Sequence, residues 1–597
     1  MTLHTSADTP ITCAYWDELV DEDGFLALGR NRYSVTYVCY TDGTYFYAED
    51  GKTGELKYGG PNSLGGASGT NAYAVLNGAI VTSPTPGTVV IKEGVYPLNV
   101  RGGFMISGKA GLTIQGVGHV VLRYTYAATL ALPVNQMFSI QGACSNVTMR
   151  NLTWDMNESI YTNVQRPVAG GLSWIGRVVG ASVDTLFEDC RFINSPDCGV
   201  VSNNTNMLVL RNCTFDNIGE HCLYIESTTN LWVTDCQFLN FAKWIRGWAF
   251  KIASASANAH IRNIYVEPNE DGLGYHDSLA IGAEPMVMSV DGGSNFVTME
   301  NAKIIGDSDI TSRPIWEIDG YNIYFRTINA IDWNHIKYIN QDFDHYCSLQ
   351  DSVFYNMRCV YFPLVMERCI FYEPPLSSQN IVNNSIMRDV WYVRDAIVHN
   401  FAVLSIGTAA NPVSNVLLDG LRFINWSFQD LNASYATDTI VRNCYFSHGT
   451  TSFCVNAGGT RVLLDGNIFD NDIGYGTASI QCAVGSANTL INNRIGAALT
   501  TNIVPATTHR IQNNLGYVSE NSGAGAVITA AVTSIIVAHG CSYTPTAADI
   551  SVILTNLPTA DIGDVYFSAI GAANFTINCR NAPGVATAIF SWAVRRV

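Results

Sequence analysis

The chain returns to one tetrapeptide pattern every 23 residues, in Asp189-Cys190-Arg191-Phe192, Asn212-Cys213-Thr214-Phe215 and Asp235-Cys236-Gln237-Phe238. The pattern recurs downstream in Asn443-Cys444-Tyr445-Phe446 and Gly466-Asn467-Ile468-Phe469. A fixed period of this length, with short apolar runs separated by polar turns, is typical of a solenoid whose repeats bury their apolar residues against one another. The period therefore predicts a stack of similar coils.

Within one repeat, the sequence predicts short strands at 208–211, 213–215 and 223–226, with a turn at Asn212. Strands this short and close together do not form hairpins at this spacing, but they can wind as a right-handed parallel β-helix. Stacked coils would place the repeated Cys and Phe residues in two internal ladders, and Asn at the corner tolerates a left-handed backbone. We therefore predict an all-β chain with a β-helix; a β-sandwich with fortuitous spacing is the alternative.

The composition narrows the range of partners. The 597 residues include 33 Lys and Arg against 50 Asp and Glu, a net charge of −17, which argues against nucleic acid or an anionic membrane surface as the partner. Only 14% of the residues are charged, so we expect apolar surface to be buried between subunits. We find no run of apolar residues that could cross a membrane and no secretory signal, so a protein working outside the cell would leave by another route.

The cysteines and acidic residues do not indicate a bound metal or other cofactor. Sixteen cysteines are present, and those 23 residues apart are expected to stack as reduced, apolar fillers. No CxxC pair appears, and Asp271, Asp277 and Asp291 are too scattered to argue for calcium. We therefore predict no cofactor.

Changes in pattern along the chain divide it into three regions. Residues 1–60 are predicted to form an N-terminal attachment or cap module, and 61–516 the β-helix, with a capping helix near 71–80 and loop insertions near 267–319. Residues 517–597 are predicted to form a C-terminal β domain. Long loops on a rigid solenoid usually wall a groove.

Two stretches carry a resemblance to known families. The helix near 71–80, GTVVIKEGVYPL at 87–98 and GLTIQGVGHVVLRY at 111–124 resemble the opening of the pectate-lyase-like β-helix superfamily, in which the helix caps the first coil. The residues after 516 resemble the small C-terminal modules of phage tail fibres and tailspikes, which commonly hold three chains together.

With these two ends, the whole chain resembles a phage tailspike. The resemblance implies a homotrimer in the virion, attached to the phage tail or baseplate through its N-terminus and acting extracellularly at the bacterial surface. It also implies that the protein binds and cuts a bacterial surface polysaccharide, such as capsule or O-antigen.

Asp197 and Glu220 are the first candidates for catalysis, because residues 23 apart occupy the same corner of neighbouring coils. The separation of their carboxyls would distinguish direct attack from a water-mediated mechanism. Stacked acids also push their pKa values apart, so that one can stay protonated. The alternative is that both acids only accept hydrogen bonds from turn amides.

The same residues carry a second resemblance. Ser195-Pro196-Asp197 and Glu220-His221-Cys222 resemble the consecutive acidic motifs Asn-Thr-Asp and Asp-Asp-Cys of polygalacturonase-type glycosidases. The resemblance implies that Asp197 and Glu220 share the acid and base roles, with His221 beside them. The next coil departs from the family, since Arg246-Gly247-Trp248 stands where that family carries Gly-His-Gly.

Other residues are candidates for chemistry or binding. Glu317 and Asp319 alternate along a predicted strand and would share one face, while Asp271, His276 and Asp277 lie on the inserted loops. Elimination is the competing chemistry, for which Lys243, Arg246, His221 and Tyr224 could supply a base and a cation. A non-catalytic adhesin is a third possibility. Candidate platforms for sugar rings are Trp154, Trp174, Trp232, Trp244, Trp248, Trp316 and Trp333. For each of them the alternative is packing in the core or at an interface, which is the commoner role of a tryptophan.

Overall fold

The structure is a computed structural model that describes residues 35–595 with short gaps. The gaps lie at 127–134, 158–172, 181–182, 243–246, 269–284, 292, 307–313, 332–334, 339–346, 356–357, 361–364, 373–378, 382, 399–401, 410–411, 427–428, 447–452, 471–477, 483–486, 497–502, 505–509, 516 and 518–519. The chain divides into two compact units, residues 1–334 and 335–597.

The first unit opens with a three-stranded antiparallel segment and one helix. The elements are β1 (Tyr37–Thr41), β2 (Phe46–Asp50), β3 (Leu56–Gly59), α1 (Ala72–Thr82) and β4 (Gly87–Leu98). β1 pairs with β2 in antiparallel fashion and with β4 in parallel, so this segment continues the sheet of the first coil. The side chain of Asn71 caps α1 by accepting from the N–H of Ala74, as expected for Asn at an N-cap.

The rest of the first unit consists of parallel strands joined by turns. They are β5 (Phe104–Ser107), β6 (Leu112–Tyr124), β7 (Asn135–Gln141), β8 (Val147–Arg150), β9 (Thr153–Asp155), β10 (Ser173–Val179), β11 (Asp184–Glu188), β12 (Arg191–Ser195), β13 (Cys198–Asn203), β14 (Met207–Arg211), β15 (Thr214–Ile218), β16 (Leu223–Glu226), β17 (Asn230–Thr234), β18 (Gln237–Phe241), β19 (Gly247–Ala253), β20 (Ala257–Glu267), β21 (Pro285–Val290), β22 (Asn295–Ile305), β23 (Pro314–Ile318) and β24 (Tyr321–Ile331).

Three parallel sheets run through this unit. The first sheet has the order β5-β7-β10-β13-β16-β19-β21-β23, the second runs β4-β6-β8-β11-β14-β17-β20-β22-β24, and the third runs β6-β9-β12-β15-β18-β20. The coils from β7 to β18 each contribute one strand to each sheet, as the 23-residue repeat predicts, whereas the long strands β6 and β20 span the second and third sheets. The fold is a right-handed parallel β-helix, so the predicted fold class is confirmed.

The repeated tetrapeptide forms the turn between the second and third sheets. Its first residue has a left-handed backbone, with φ of 54° at Asp189, 50° at Asn212 and 57° at Asp235. Asn212 Nδ2 donates to Asp189 Oδ1 at 2.7 Å, so the turns are also bonded from coil to coil. The Phe residue points inward, and the rings of Phe192 and Phe215 stack with centroids 4.8 Å apart.

The second unit contains further parallel coils followed by antiparallel strands. Its strands are β25 (His335–Tyr338), β26 (Cys347–Gln350), β27 (Val353–Tyr355), β28 (Arg358–Val360), β29 (Val365–Glu367), β30 (Ile370–Tyr372), β31 (Gln379–Ile381), β32 (Ile386–Arg388), β33 (Trp391–Val398), β34 (Ala402–Ile406), β35 (Val413–Ser414), β36 (Leu417–Asp419), β37 (Arg422–Trp426), β38 (Gln429–Asn432), β39 (Ala436–Arg442), β40 (Tyr445–Phe446), β41 (Phe453–Ala457), β42 (Thr460–Asp465), β43 (Ile468–Phe469), β44 (Ala478–Cys482), β45 (Thr489–Ile491), β46 (Arg494–Ile495), β47 (Ile503–Val504), β48 (Arg510–Gln512), β49 (Glu520–Ile528), β50 (Ser534–Ala538), β51 (Ile550–Leu554), β52 (Val565–Ser568), β53 (Asn574–Cys579) and β54 (Ala588–Arg595).

The last six strands form a separate layer pair within the second unit. β54 pairs with β49 and β51, and β53 pairs with β50 and β52, all in antiparallel fashion. Phe575, Ile577 and Phe590 are fully buried among apolar side chains of these strands. The change from parallel to antiparallel pairing falls close to residue 516, and the domain boundaries stay predictions.

The twelve cysteines whose side chains the structure describes are buried free thiols, and Cys190, Cys213 and Cys236 stack inside the first unit as fillers. Over the same residues, no helix is both long enough and apolar enough to span a membrane.

Candidate functional site

Asp197 and Glu220 occupy equivalent places in two successive coils. Asp197 lies in the turn before β13, and Glu220 lies in the turn before β16, the next strand of the first sheet. The backbone N–H of Glu220 donates to the carbonyl of Asp197 at 2.9 Å. The two residues are therefore hydrogen-bonded neighbours, as their 23-residue spacing indicates.

The two carboxyl groups face each other across this step. One carboxyl oxygen of each residue and the thiol of Cys198 all lie within 4.8 Å of one another, and the Cys198 thiol donates to Asp197 Oδ1 at 3.4 Å. Asp197 is fully buried, whereas 16% of the Glu220 side chain is exposed. Glu220 is thus the member of the pair that solvent or a ligand can reach.

The surroundings of Asp197 favour its protonated form. Burial raises the pKa of Asp197 well above its usual range, and the hydrogen bond with Glu220 and the charge of Glu220 raise it further. The backbone N–H of Ser173, which donates to Oδ2 at 3.1 Å, opposes this shift. The pair therefore keeps one proton at a pH where an isolated aspartate has lost its own.

His221 holds Glu220 from the other side. Its Nε2 lies 3.2 Å from Glu220 Oε1, and the backbone N–H of Trp248 donates to its Nδ1 at 3.3 Å. Because Nδ1 accepts, the ring proton lies on Nε2 and is directed to the carboxyl. The His221 ring also packs 4.8 Å from the Trp248 ring, which lies in the next coil.

Tyr224 and Lys251 extend this surface along the first sheet. They are paired in register on β16 and β19, and Lys251 Nζ lies 5.8 Å from the Tyr224 ring and 4.6 Å from the Trp248 ring. Burial is the largest cause of the raised pKa of Tyr224. Lys251 Nζ is also 3.9 Å from Asp291 Oδ2.

The structure places the other predicted site residues as follows. Glu317 lies in β23 in register with Ser289 of β21, and the backbone N–H of Asp319, just after β23, donates to Val290. Asp319 is not among the described contacts of Asp197 and Glu220, and the side chain of Glu317 lies outside what the structure describes. Lys243, Trp244, Arg246, Asp271, His276, Asp277 and Trp333 lie outside the described residues.

Two of the candidate sugar platforms are core residues, which is the alternative that the sequence left open for each tryptophan. Trp154 and Trp316 are buried inside the coils, where Trp154 packs 4.5 Å from Phe138 and Trp316 stacks 3.9 Å from Phe325. Trp232 is exposed, but it lies on the second sheet and stacks on His260. Residue type alone did not indicate which face of a strand each ring occupies.

Cys198 and Lys251 belong to this site but were not predicted. Asp197, Cys198 and Glu220 are the described residues that could ligate a cation, since their ligand atoms are close together. Burial raises the pKa of the Cys198 thiol, which disfavours the thiolate that a metal would need. The repeated i, i+3 spacing of His221 with Tyr224 and of Trp248 with Lys251 is a signal that could have identified Lys251.

Comparison with known families agrees with this architecture. Residues 99–266 and 170–375 match the family described as the right handed beta helix region. This part of the chain is a right-handed β-helix region. Asp197, Glu220 and His221 all lie inside both matched segments, so the candidate site belongs to the β-helix itself. No curated protein matches the chain.

Several solved structures can be aligned with this chain at low identity and low TM-score. The tailspike protein of Escherichia coli bacteriophage HK620, in complex with a pentasaccharide, is 12% identical over 91% of this chain and 92% of its own, with a TM-score of 0.31. The tailspike protein gp49 from Pseudomonas phage LKA1 is 13% identical, covering 88% and 93%, with a TM-score of 0.25. The A-module of an Azotobacter vinelandii mannuronan C-5 epimerase is 11% identical, covering 72% and 95%, with a TM-score of 0.27.

Proposed function

We propose that this protein is a phage tailspike depolymerase that cleaves a bacterial surface polysaccharide, such as capsule or O-antigen, by hydrolysis of glycosidic bonds. The observation that carries the proposal is the closeness of Asp197 and Glu220, whose carboxyl oxygens lie within 4.8 Å of each other near a tyrosine and a lysine of the same sheet. A carboxyl pair of this kind supplies the proton transfers that glycoside hydrolysis requires.

The short separation of the carboxyls determines how they would act. An inverting pair needs roughly 6.5–9.5 Å between carboxyls to hold a water, and Asp197 and Glu220 are closer than that. Both carboxyls would therefore lie on one side of the bond, where only Glu220 reaches it. Glu220 donates the shared proton to the leaving oxygen as the carbon–oxygen bond breaks. The pair then accepts a proton from the water that adds to the sugar carbon, which restores its starting state.

Asp197 and His221 have supporting roles in this proposal. Asp197 is fully buried, so it holds the shared proton for Glu220 without touching the substrate. His221 donates from Nε2 to Glu220 and fixes the orientation of that carboxyl. Both are positioning residues, and Glu220 is the catalytic residue.

The alternative of β-elimination is less well supported by the described residues. Elimination needs a free base near the sugar. Both ring nitrogens of His221 are already engaged, by Trp248 and by Glu220, and burial raises the pKa of Tyr224, which makes its phenolate scarcer at neutral pH. Hydrolysis is therefore expected to release fragments without new absorbance in the near ultraviolet.

Replacement of the pair tests the activity. Capsular polysaccharides and lipopolysaccharide glycans from a panel of bacteria are incubated with the protein, and fragment size is followed by chromatography together with near-ultraviolet absorbance. Glu220→Gln is expected to lower the rate roughly 10²–10⁴-fold, the usual contribution of a general acid or base. Absorbance that rises with fragmentation would instead establish a lyase.

The matched control is Glu226→Gln. Glu226 lies on the same strand as Tyr224 but accepts hydrogen bonds from Asn203 and Ser254, away from the pair. This variant should retain full activity. Glycan binding without cleavage by the unmodified protein, equally strong in Glu220→Gln, would favour an adhesin and contradict the proposal.

The proposed setting of the enzyme is the virion. Attachment to the phage tail or baseplate through the N-terminus and assembly into a homotrimer are part of the same proposal. Their support is the order of segments along the sequence, with a short N-terminal region, the capping helix and coils, and a distinct β-structured end.

A further inference from the structure

Arg177 is a cation without a counter-charge among the residues that the structure describes. It lies half-buried on β10, and its Nε is buried with no hydrogen-bond acceptor. Its guanidinium lies over the Trp174 ring, 5.3 Å from the ring centroid. A buried polar group without a partner is costly, so such a group calls for an explanation.

Three outward arginines of nearby coils have carboxylate partners. Arg123 bonds to Asp155 at 2.8 Å, and Arg150 and Arg211 both bond to Glu188. Arg177 has no carboxylate partner among the described residues, although the chain carries an excess of acidic residues. Its buried Nε also lacks an acceptor there, which makes its state the more costly one.

Arg177 lies one coil away from the acid pair. Ser173, at the start of the same strand, donates its N–H to Asp197, and Trp174 is in register with Cys198. Along the first sheet, Arg177 is in register with Val201, and Val201 with Tyr224. The cation thus belongs to the same outward ladder as Tyr224.

The other end of this ladder repeats the arrangement. Tyr224 is in register with Lys251, whose ammonium lies over Trp248 of its own strand, as Arg177 lies over Trp174. Three interstrand steps of about 4.8 Å separate the two cations, roughly 14 Å along the coils. The coils that carry Asp197 and Glu220 lie between them. Lys251 already has Asp291 nearby, so Arg177 is the cation with its charge available.

We infer that Arg177 binds an anionic substituent, a carboxylate or a phosphate, of the polysaccharide, which makes the substrate an acidic glycan. The inference rests on the proposed function and specifies the substrate class of the same site. The planar guanidinium can form two parallel hydrogen bonds to such a group, and Trp174 holds its plane in place. The anionic sugar would lie on the Asp197 side of the bond that is cleaved.

The experiment measures binding of the same glycan panel, in native and carboxyl-reduced form, by affinity electrophoresis. Glu220→Gln is used as the parent so that the polymer stays intact. Adding Arg177→Gln is expected to weaken binding roughly 10–100-fold, the effect of losing hydrogen bonds to a charged group. Arg177→Lys should fall between the two, because it keeps the charge but loses the paired geometry.

The control is Arg211→Gln in the same parent, which removes an equal charge from the second sheet and should leave binding unchanged.

Loss of binding on carboxyl reduction identifies a carboxylate; loss only after enzymatic or acid removal of phosphate identifies a phosphate. A neutral glycan that is bound and cut, or unchanged binding by Arg177→Gln, overturns the inference and leaves the depolymerase standing. A panel in which no glycan is bound or cut overturns both.

Discussion

At the scale of single residues, the most consequential feature is a carboxyl buried where its charge is unfavourable. Asp197 is fully buried, and burial and Glu220 together raise its pKa well above its usual range. The same arrangement that prepares the pair for proton transfer therefore works against stability once Asp197 ionises.

This conflict predicts a pH-dependent stability difference. Below the usual pKa of aspartate, Asp197 is protonated in both folded and unfolded chains. Above it, the unfolded chain loses the proton while the folded chain keeps it, so stability falls as pH rises through that window. Asp197→Asn carries no titratable proton, and its amide oxygen can still accept from Ser173. We expect the variant to melt at a higher temperature than the unmodified protein near neutral pH, with a smaller difference at about pH 4.

Thermal unfolding across this pH range measures the effect. The control is Asp184→Asn, which removes a half-buried carboxylate that accepts from Asn206 at 2.8 Å on the second sheet. The melting temperature of Asp184→Asn should not rise relative to that of the unmodified protein as the pH is raised. A parallel pH profile for Asp197→Asn and the unmodified protein would mean that Asp197 ionises as an ordinary aspartate does.

At the scale of elements, the turn between the second and third sheets has the same backbone conformation and the same hydrogen bond in successive coils. Asn212 has φ of 50° and donates from Nδ2 to Asp189 in the coil before it. Further on, Asn263 bonds in the same way to Asp235, and Asn301 to Asn263. These turns set the corner angle and connect successive coils with the same residue.

The two contributions of Asn212 can be separated at one position. Asn212→Ala loses the hydrogen bond and also places a Cβ in a left-handed backbone, which costs about 1–2 kcal/mol. Asn212→Gly loses the bond but accommodates the backbone, at an entropic cost of about 0.5–1 kcal/mol. We expect the melting temperature at a fixed scan rate to fall in the order unmodified, Gly, Ala. An Ala variant at least as stable as the Gly variant would show that the turn imposes no backbone strain.

The coils could be predicted from the sequence because each strand and corner is determined by residues that lie close together in the chain. The strands predicted at 208–211, 213–215 and 223–226 correspond to β14, β15 and β16, and the left-handed corner falls at Asn212. The spacing also brought Asp197 and Glu220 together. Periodicity gives the position of a residue along its coil. That position is sufficient to predict both the strands with their corner and the closeness of Asp197 to Glu220.

The depth and the charge environment of the site were not predictable in the same way. Whether Asp197 is covered depends on how neighbouring coils pack around that corner, which no repeat encodes. Trp154 and Trp316 became core residues because strand parity, not ring size, decides which way a side chain points. The lack of an acceptor for the buried Nε of Arg177 among the described residues is likewise visible only once the neighbours of its guanidinium are known.

At the scale of the whole molecule, the antiparallel end of the second unit exposes large apolar side chains. Leu557 is 94% exposed and Val585 92%, while Ile536 of β50 and Ile553 of β51 are each 68% exposed. Single exposed apolar residues are ordinary, but several on one small β structure are typical of a surface that another chain covers. A small β layer pair with a modest core of its own also benefits from such burial.

We therefore predict that the protein sediments as a trimer of 65.0 kDa chains and that exposed apolar side chains of these last strands, Ile553 among them, hold the trimer together. Ile553→Glu should shift the sedimenting species to a lower mass without unfolding the chain, because a side chain so exposed tolerates a charge within one copy. Val95→Glu, which charges a 49% exposed position on β4 of the first unit, is the control and should stay trimeric. If the unmodified protein sediments as a single chain at micromolar concentration, the predicted trimer is wrong and the exposed apolar side chains of the last strands have another role. If Ile553→Glu stays trimeric while the unmodified protein is also a trimer, the chains associate through a different surface.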